Sequence, residues 1–291
     1  PTVVEGNTDG IAPIEPPGLA AGLTEWVTAG RSTATTDTAE AVSRSDAVIV
    51  VVPLVFDDAD QPDFRAMDAA TAAIGRGLQP GTLVSYETTL PIHTARERFV
   101  PALEAATSMT CGTDFFVCHS PERVSSGTVF RDLRLYPKLV GGVDEASGRR
   151  AVEFYEAILT FDERDDLPRP NGVWDLGSSE AAEFAKLAET TYRDVNIGLA
   201  NEFARYADTL GVDIDAVIAA SNSQPFSHIQ SPGIAVGGHC IPFYPRLYLS
   251  TDPAATIPRT ARAANAAMPT YAIDRLEAAV GGRLGGSFAD S

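Results

Sequence analysis

Apolar positions along the chain fall into two textures. Up to about residue 160, short apolar runs alternate with segments of helical spacing. Ala47–Val52 reads AVIVVV, the pattern of a strand buried on both faces of a parallel sheet covered by helices. Further strands are predicted at Thr82–Tyr86, Asp114–His119 and Lys138–Gly142, with helices at Leu19–Ala29, Asp63–Gly77, Thr94–Ala106 and Glu145–Leu159. Strands alternating with helices predict an α/β fold with a doubly wound parallel sheet.

Beyond a charged, Pro-containing linker at Asp162–Pro170 the pattern becomes helical. Phe184, Ala188, Tyr192, Val195, Leu199, Phe203, Tyr206 and Leu210 recur every three or four residues, so one apolar stripe runs along a helix from Ser178 to Leu210. Ser178 or Ser179 can cap it and Gly211 can end it. At ~1.5 Å per residue it spans roughly 50 Å, a length that connects domains or builds a dimer interface. Helices follow at Asp213–Ser221 and Pro258–Val280, separated by a loop rich in Pro and Gly. Two domains are expected, 1–165 and 175–280.

The 291 residues are 44% hydrophobic and 21% charged, an ordinary globular composition, and no run of 18 apolar residues supports a membrane span. Asp and Glu outnumber Lys and Arg 39 to 22, for a net charge of −17, which argues against nucleic-acid binding. A small anionic ligand needs only a local cluster of cations and amides. Three cysteines, Cys111, Cys118 and Cys240, make no disulfide framework and point to a reducing, cytoplasmic location.

Three features carry chemistry. Gly237-Gly238-His239-Cys240 places a thiol after two glycines that allow close backbone approach to a ligand. On the long helix, Lys186, Thr190 and Arg193 share one stripe, with Asn196 and Asn201 further along, and this stripe can line a cleft. Finally, Pro53-Leu54, Thr88-Thr89-Leu90-Pro91 and Ser120-Pro121-Glu122-Arg123-Val124 each follow a predicted strand, where open α/β sheets bind ligands. No metal site is expected.

The segments SDAVIVVVP (45–53), YETTLPIHT (86–94), SPERVSSG (120–127), PKLVGG (137–142), the helix 181–213 and GGHCIP (237–242) resemble, in order, the UDP-glucose/GDP-mannose dehydrogenase family of nucleotide-sugar 6-dehydrogenases. The motif forms are most similar to the branch acting on UDP-N-acetylhexosamines. The resemblance implies a Rossmann-like NAD-binding domain, then the long central helix and a helical domain for substrate and dimerisation. A Gly-rich turn ahead of Pro1 and a C-terminal nucleotide-binding domain beyond Ser291 are also implied. The implied activity oxidises a nucleotide diphospho-hexose twice with NAD. UDP-glucose and TDP-glucose are the other implied substrates, and Cys240 holds the sugar as thiohemiacetal and then thioester. Lys186 is implied to stabilise the oxyanion, Thr89 to hold water or the 6-hydroxyl, and Glu122 to act as base in hydrolysis. Substrate contacts are implied for Arg123, Val124, Thr190, Arg193, Asn196, Phe226, His228, Gly237, Gly238 and Tyr244. Cofactor contacts are implied for Val52, Pro53, Leu54, Thr88, Thr89 and Glu122. A homodimer through helix 178–210 is expected. Two positions depart from the family pattern: Thr190 stands where Asn is usual, and Tyr244 where an acid is usual. The alternatives are a non-catalytic sugar-nucleotide-binding relative and a two-electron hydroxyacid dehydrogenase.

Overall fold

The computed structural model describes residues 18–125 and 127–284, with positions 4 and 6. The chain divides into two compact units, one up to Lys186 and one from Leu187 onward.

The first unit is built on a five-stranded sheet. After helices α1 (Leu19–Thr28) and α2 (Thr38–Val42) come β1 (Ala47–Val50) and a two-stranded hairpin, β2 (Val55–Phe56) and β3 (Pro62–Asp63). Then follow α3 (Arg65–Gly77), β4 (Leu83–Tyr86), a π-helical turn at Ala95–Phe99 that runs into α4 (Val100–Ala106), and β5 (Phe116–His119). The unit continues through α5 (Val129–Leu135), β6 (Lys138–Gly142), α6 (Glu145–Ile158) and β7 (Val173–Asp175). The sheet order is β1-β4-β5-β6-β7. Leu83, Cys118, Val140, Ala151 and Tyr155 form a buried cluster between sheet and helix. Each large apolar side chain so buried contributes on the order of 1.5–3 kcal/mol.

Two expectations about the sheet need correction. The pairing of β5 with β6 is antiparallel, Cys118 opposite Gly142 and His119 opposite Gly141, while the other neighbouring pairs are parallel. A parallel return needs a crossover along the length of the strands. Here the loop after β5 docks across the strand ends, Ser120 Oγ donating to the Leu139 carbonyl at 2.7 Å, and the chain re-enters at the end it left. The second correction concerns β1. Ile49 is 43% and Val51 64% exposed, so this run is not buried on both faces. Among the described residues β1 has only β4 beside it.

The long helix is present as α7 (Ser179–Leu210), and runs from the first unit into the second. Ser178 Oγ accepts from Ala181 N at 3.2 Å and Gly211 takes φ +66°, as the capping residues predict. The second unit adds α8 (Ile214–Ser221), α9 (Cys240–Thr251) and α10 (Ile257–Leu284). Burial along α7 does not follow its apolar stripe: Ala182, Leu187, Ala200 and Ala207 are buried on a face shared with polar residues. Phe184, Tyr192, Leu199, Phe203, Tyr206 and Leu210 are exposed, whereas Glu183, Lys186, Thr190, Asp194 and Asn201 are buried. None of the described helices is long and apolar enough to cross a membrane.

Candidate active site

Three loops leave the carboxyl ends of β1, β4 and β5, and hydrogen bonds join them. Thr88 Oγ1 donates to the Val52 carbonyl at 2.7 Å. Ser120 N donates to the Tyr86 carbonyl at 2.9 Å and Glu122 N to the Glu87 carbonyl at 3.1 Å. Of the residues implied for cofactor and catalysis, Val52 is half-buried, Pro53 exposed, and Leu54 and Thr89 buried. The exposed Glu122 carboxylate accepts from Val124 N, and Arg123 reaches the Pro137 carbonyl at 3.4 Å. Glu87, Glu122, Arg123, Val124 and Lys138 line a pocket at these ends. Backbone groups and threonine hydroxyls gather here where parallel strands end, the place where open α/β sheets bind ligands. Among the described residues no group of His, Cys, Asp and Glu could hold a metal ion.

Behind the pocket lies a polar chain that sequence reasoning missed. Glu87 Oε1 takes Lys138 Nζ at 2.7 Å and the Tyr155 hydroxyl at 2.6 Å. Because the carboxylate only accepts, Tyr155 donates to it. Ser85 Oγ then donates to Tyr155 at 2.7 Å, and the Cys118 thiol donates to Ser85 at 3.2 Å. The Lys138 ammonium also sits 4.7 Å from the centre of the Tyr155 ring. Burial and the Glu87 carboxylate push the Tyr155 phenol well above its ordinary value, and burial pushes the Cys118 thiol up to about 12. Next in sequence, His119 is fully buried with no partner for either ring nitrogen. Burial, then the Lys138 and Lys186 charges, hold it neutral, down to about 3. The signal available in the sequence is modest: charged residues sit at the ends of the apolar strands β4 and β6.

At the start of α7, Glu183 accepts from His93 N at 2.7 Å and Ala95 N at 2.9 Å, capping the π-helical turn that follows the Thr89 loop. His93 carries φ +74°, a conformation that costs most side chains energy. Burial pushes the Glu183 carboxyl up to about 8, against the pull of its two N–H donors. A folded-state value above the unfolded one means that the fold holds the proton more tightly. This contribution to stability is complete below the unfolded carboxylate value and is lost as pH rises toward 8. Urea unfolding midpoints are therefore expected to fall between pH 5 and pH 8, and E183Q is expected to flatten that slope. An unchanged slope in E183Q would show that Glu183 is not its source. Lys186, one turn further on, is 5% exposed.

In the second unit the Thr190 hydroxyl donates to the Leu187 carbonyl at 3.2 Å, and Arg193 pairs with Glu189 at 3.4 Å on an exposed face. Asn196 is implied as a substrate contact, but its amide is engaged by protein: Nδ2 donates to the His228 carbonyl at 2.7 Å and Oδ1 accepts from Gln230 N at 3.0 Å. Asn222 bonds both backbone groups of Ile229 at 2.9 Å, and Asn201 Oδ1 accepts from Gly233 N at 2.9 Å. Three asparagines thus pin the segment 228–233, while Phe226 stands 91% exposed and His228 is exposed. Buried behind Asn201, Asp194 takes Arg262 and Asn265, each at 2.8 Å, tying α7 to α10.

Gly238, at φ +80°, turns the chain into α9, and neither Gly237 nor Gly238 has an atom within 4 Å of where a Cβ would be. Cys240 is the first residue of α9 and exposed. His239 stacks on Phe243 at 4.7 Å and meets Tyr244 edge-on at 6.0 Å, so an aromatic cluster forms at the start of α9. Cys111, by contrast, is half-buried, and burial pushes its thiol up to about 11.

Residues 2–159 match the NAD binding domain of the UDP-glucose/GDP-mannose dehydrogenase family, and residues 180–268 match its central domain. The UDP-N-acetyl-D-mannosamine dehydrogenase of Pyrococcus horikoshii is 35% identical over 273 residues, 93% of this chain and 62% of that protein. The NDP-N-acetyl-D-galactosaminuronic acid dehydrogenase of Ralstonia nicotianae is 34% identical over 81% of this chain and 55% of its own length. Among solved structures, the UDP-D-ManNAc dehydrogenase from Pyrococcus horikoshii superposes with a TM-score of 0.87 at 33% identity, covering 96% of this chain and 64% of that one.

Proposed function

Because the chain belongs to the UDP-glucose/GDP-mannose dehydrogenase family, we propose that the protein is an NAD-dependent nucleotide-sugar 6-dehydrogenase acting on a UDP-N-acetylhexosamine. The single observation that carries this reading is the contrast among three free cysteines: only Cys240 is exposed, and it stands at the start of a helix behind two glycines. That is the placement a nucleophile needs, whereas the thiols of Cys111 and Cys118 belong to the packing.

NAD, when bound, supplies the hydride acceptor. Lys186 takes up the 6-hydroxyl proton through its amine and, as ammonium, stabilises the oxyanion. Cys240 adds to the aldehyde carbon, so the reactive carbonyl is retained as a thiohemiacetal in position for the second oxidation. Thr89 holds the water, Glu122 accepts its proton, and the uronic acid leaves as the C–S bond breaks. Thr190 and Tyr244 replace the amide and the acid usual at their positions, and the Tyr244 phenol does not take over the work of a carboxylate near neutral pH. The test is NADH formation by the full-length protein with a panel of nucleotide sugars. Two NADH per UDP-N-acetylhexosamine are expected; binding without turnover on any of them would overturn the reading.

A homodimer formed through α7 completes it. Tyr192, Leu199, Tyr206 and Leu210 are between 47% and 64% exposed, an apolar stripe that a lone soluble chain rarely leaves bare. Next to it, Phe203, Tyr206, Leu210, Val217, Ile218 and Ile229 line an apolar groove. Sedimentation at micromolar concentration is expected to show a dimer, and L199E/Y206E a monomer; a monomeric wild type would exclude this interface. A cytoplasmic location accords with the free thiols.

A further inference from the structure

We propose that the Lys138–Glu87 ion pair is a positioning device for Glu122, needed for release of the product from Cys240 and not for the oxidations before it. The inference rests on the reading of Glu122 as hydrolytic base. The pair is nearly buried, its side chains 10% and 14% exposed, with 2.7 Å between Nζ and Oε1. Tyr155 supplies a second donor to the same carboxylate oxygen, at 2.6 Å.

What the pair joins is the reason to assign it a role. Glu87 follows the last residue of β4, and Lys138 is the first residue of β6. These strands flank β5, whose end gives rise to the loop that carries Glu122. That loop hangs on both members of the pair and their neighbours. Glu122 N donates to the Glu87 carbonyl at 3.1 Å, Lys138 Nζ lies 3.5 Å from the Ser120 carbonyl, and Arg123 reaches the Pro137 carbonyl at 3.4 Å. Both charged side chains line the same pocket as Glu122 and Arg123. The antiparallel course of β6 makes this arrangement, because it brings the start of the strand beside the end of β5. An exposed surface pair would hold its surroundings only loosely. A nearly dry one instead fixes geometry, because separating it leaves a charge uncompensated.

The step at issue is hydrolysis of the thioester. Water oxygen bonds to the acyl carbon, its proton passes to the Glu122 carboxylate, and the C–S bond breaks with the electron pair returning to sulfur. A base displaced by about 1 Å can cost on the order of a hundredfold in rate. In the full-length protein, K138M is therefore expected to retain a burst of NADH and then turn over at least about tenfold slower, with the sugar-nucleotide KM within about twofold. Intact-mass measurement is expected to show the acyl group accumulated on Cys240. K138R, which restores the cation, is expected to recover most of the rate. E87Q/K138M removes both charges, avoids the orphaned carboxylate, and is expected to show the same slow, acylated state. Wild-type turnover in both K138M and E87Q/K138M would overturn the proposal, and so would parallel loss of burst and steady state in E87Q/K138M. E122Q separates the two readings: if it accumulates no acyl-enzyme, the assignment of Glu122 fails, whereas acylation in E122Q but not in the Lys138 variants defeats the clamp alone.

Discussion

Cys240→Ser is expected to reduce four-electron turnover by roughly a thousandfold or more while leaving sugar-nucleotide affinity within about threefold. A serine hydroxyl stays protonated near neutral pH and adds poorly to an aldehyde, so the covalent step that retains the sugar is lost. The first hydride transfer uses no sulfur. Stopped-flow absorbance is therefore expected to show up to one NADH per site, with a partly oxidised sugar bound to the protein. Cys111→Ser is the control, because that thiol is half-buried against Asp144 and Glu104, and its turnover is expected to match the wild type. Full four-electron activity in Cys240→Ser would remove the covalent mechanism.

A large effect on stability is expected at Gly142. A Cβ there would meet Gly148 N at 2.2 Å and the Asp144 carbonyl at 2.5 Å, both backbone atoms. At this point β6 passes directly against the first turn of α6, and no rotamer change relieves the overlap. Gly142→Ala is expected to destabilise by at least about 3 kcal/mol and to lower the melting midpoint of the first unit by at least about 6 °C. Gly127→Ala, where nothing lies within 4 Å of the new methyl, is expected to leave the midpoint unchanged. Circular dichroism melts of the two variants decide the matter, and equal midpoints would mean that β6 and α6 can separate at little cost.

The helix ends, the strand positions and the three strand-end loops were legible because they depend on local signals. Seryl capping, a glycine stop and 3.6-residue periodicity placed α7 within a residue of its observed span. Which face of α7 is buried was not legible. Glu183, Asp194 and Asn201 are buried by partners at His93, Arg262 and Gly233, far away in the chain, and the apolar face stays exposed. The direction of β6 escaped for a similar reason, since an apolar run reads alike in either direction and the docking of Ser120 decides it. Helix α9 was hidden by Pro242 and Pro245. The first lies in the opening turn, where no N–H is needed, and the second is accommodated within the helix. Among the candidate residues, motifs singled out Cys240, Glu122 and Thr89. Lys138 and Glu87 passed as strand ends, because pairing between neighbouring strands is a property of register and not of local pattern.

The asparagines that pin residues 228–233 separate the course of the loop from its chemistry. Asn196, Asn201 and Asn222 hold main-chain groups, which every residue except proline provides in full. The side chains at Phe226, His228 and Gln230 take no part in that grip and point outward from a track that others maintain. Their identities are free to drift while the track stays put, so this exposed surface can be varied one position at a time without first surviving a loss of foldedness. A library randomised at these three positions tests this economy: most members should melt with the parent, and their differences should lie in what they bind.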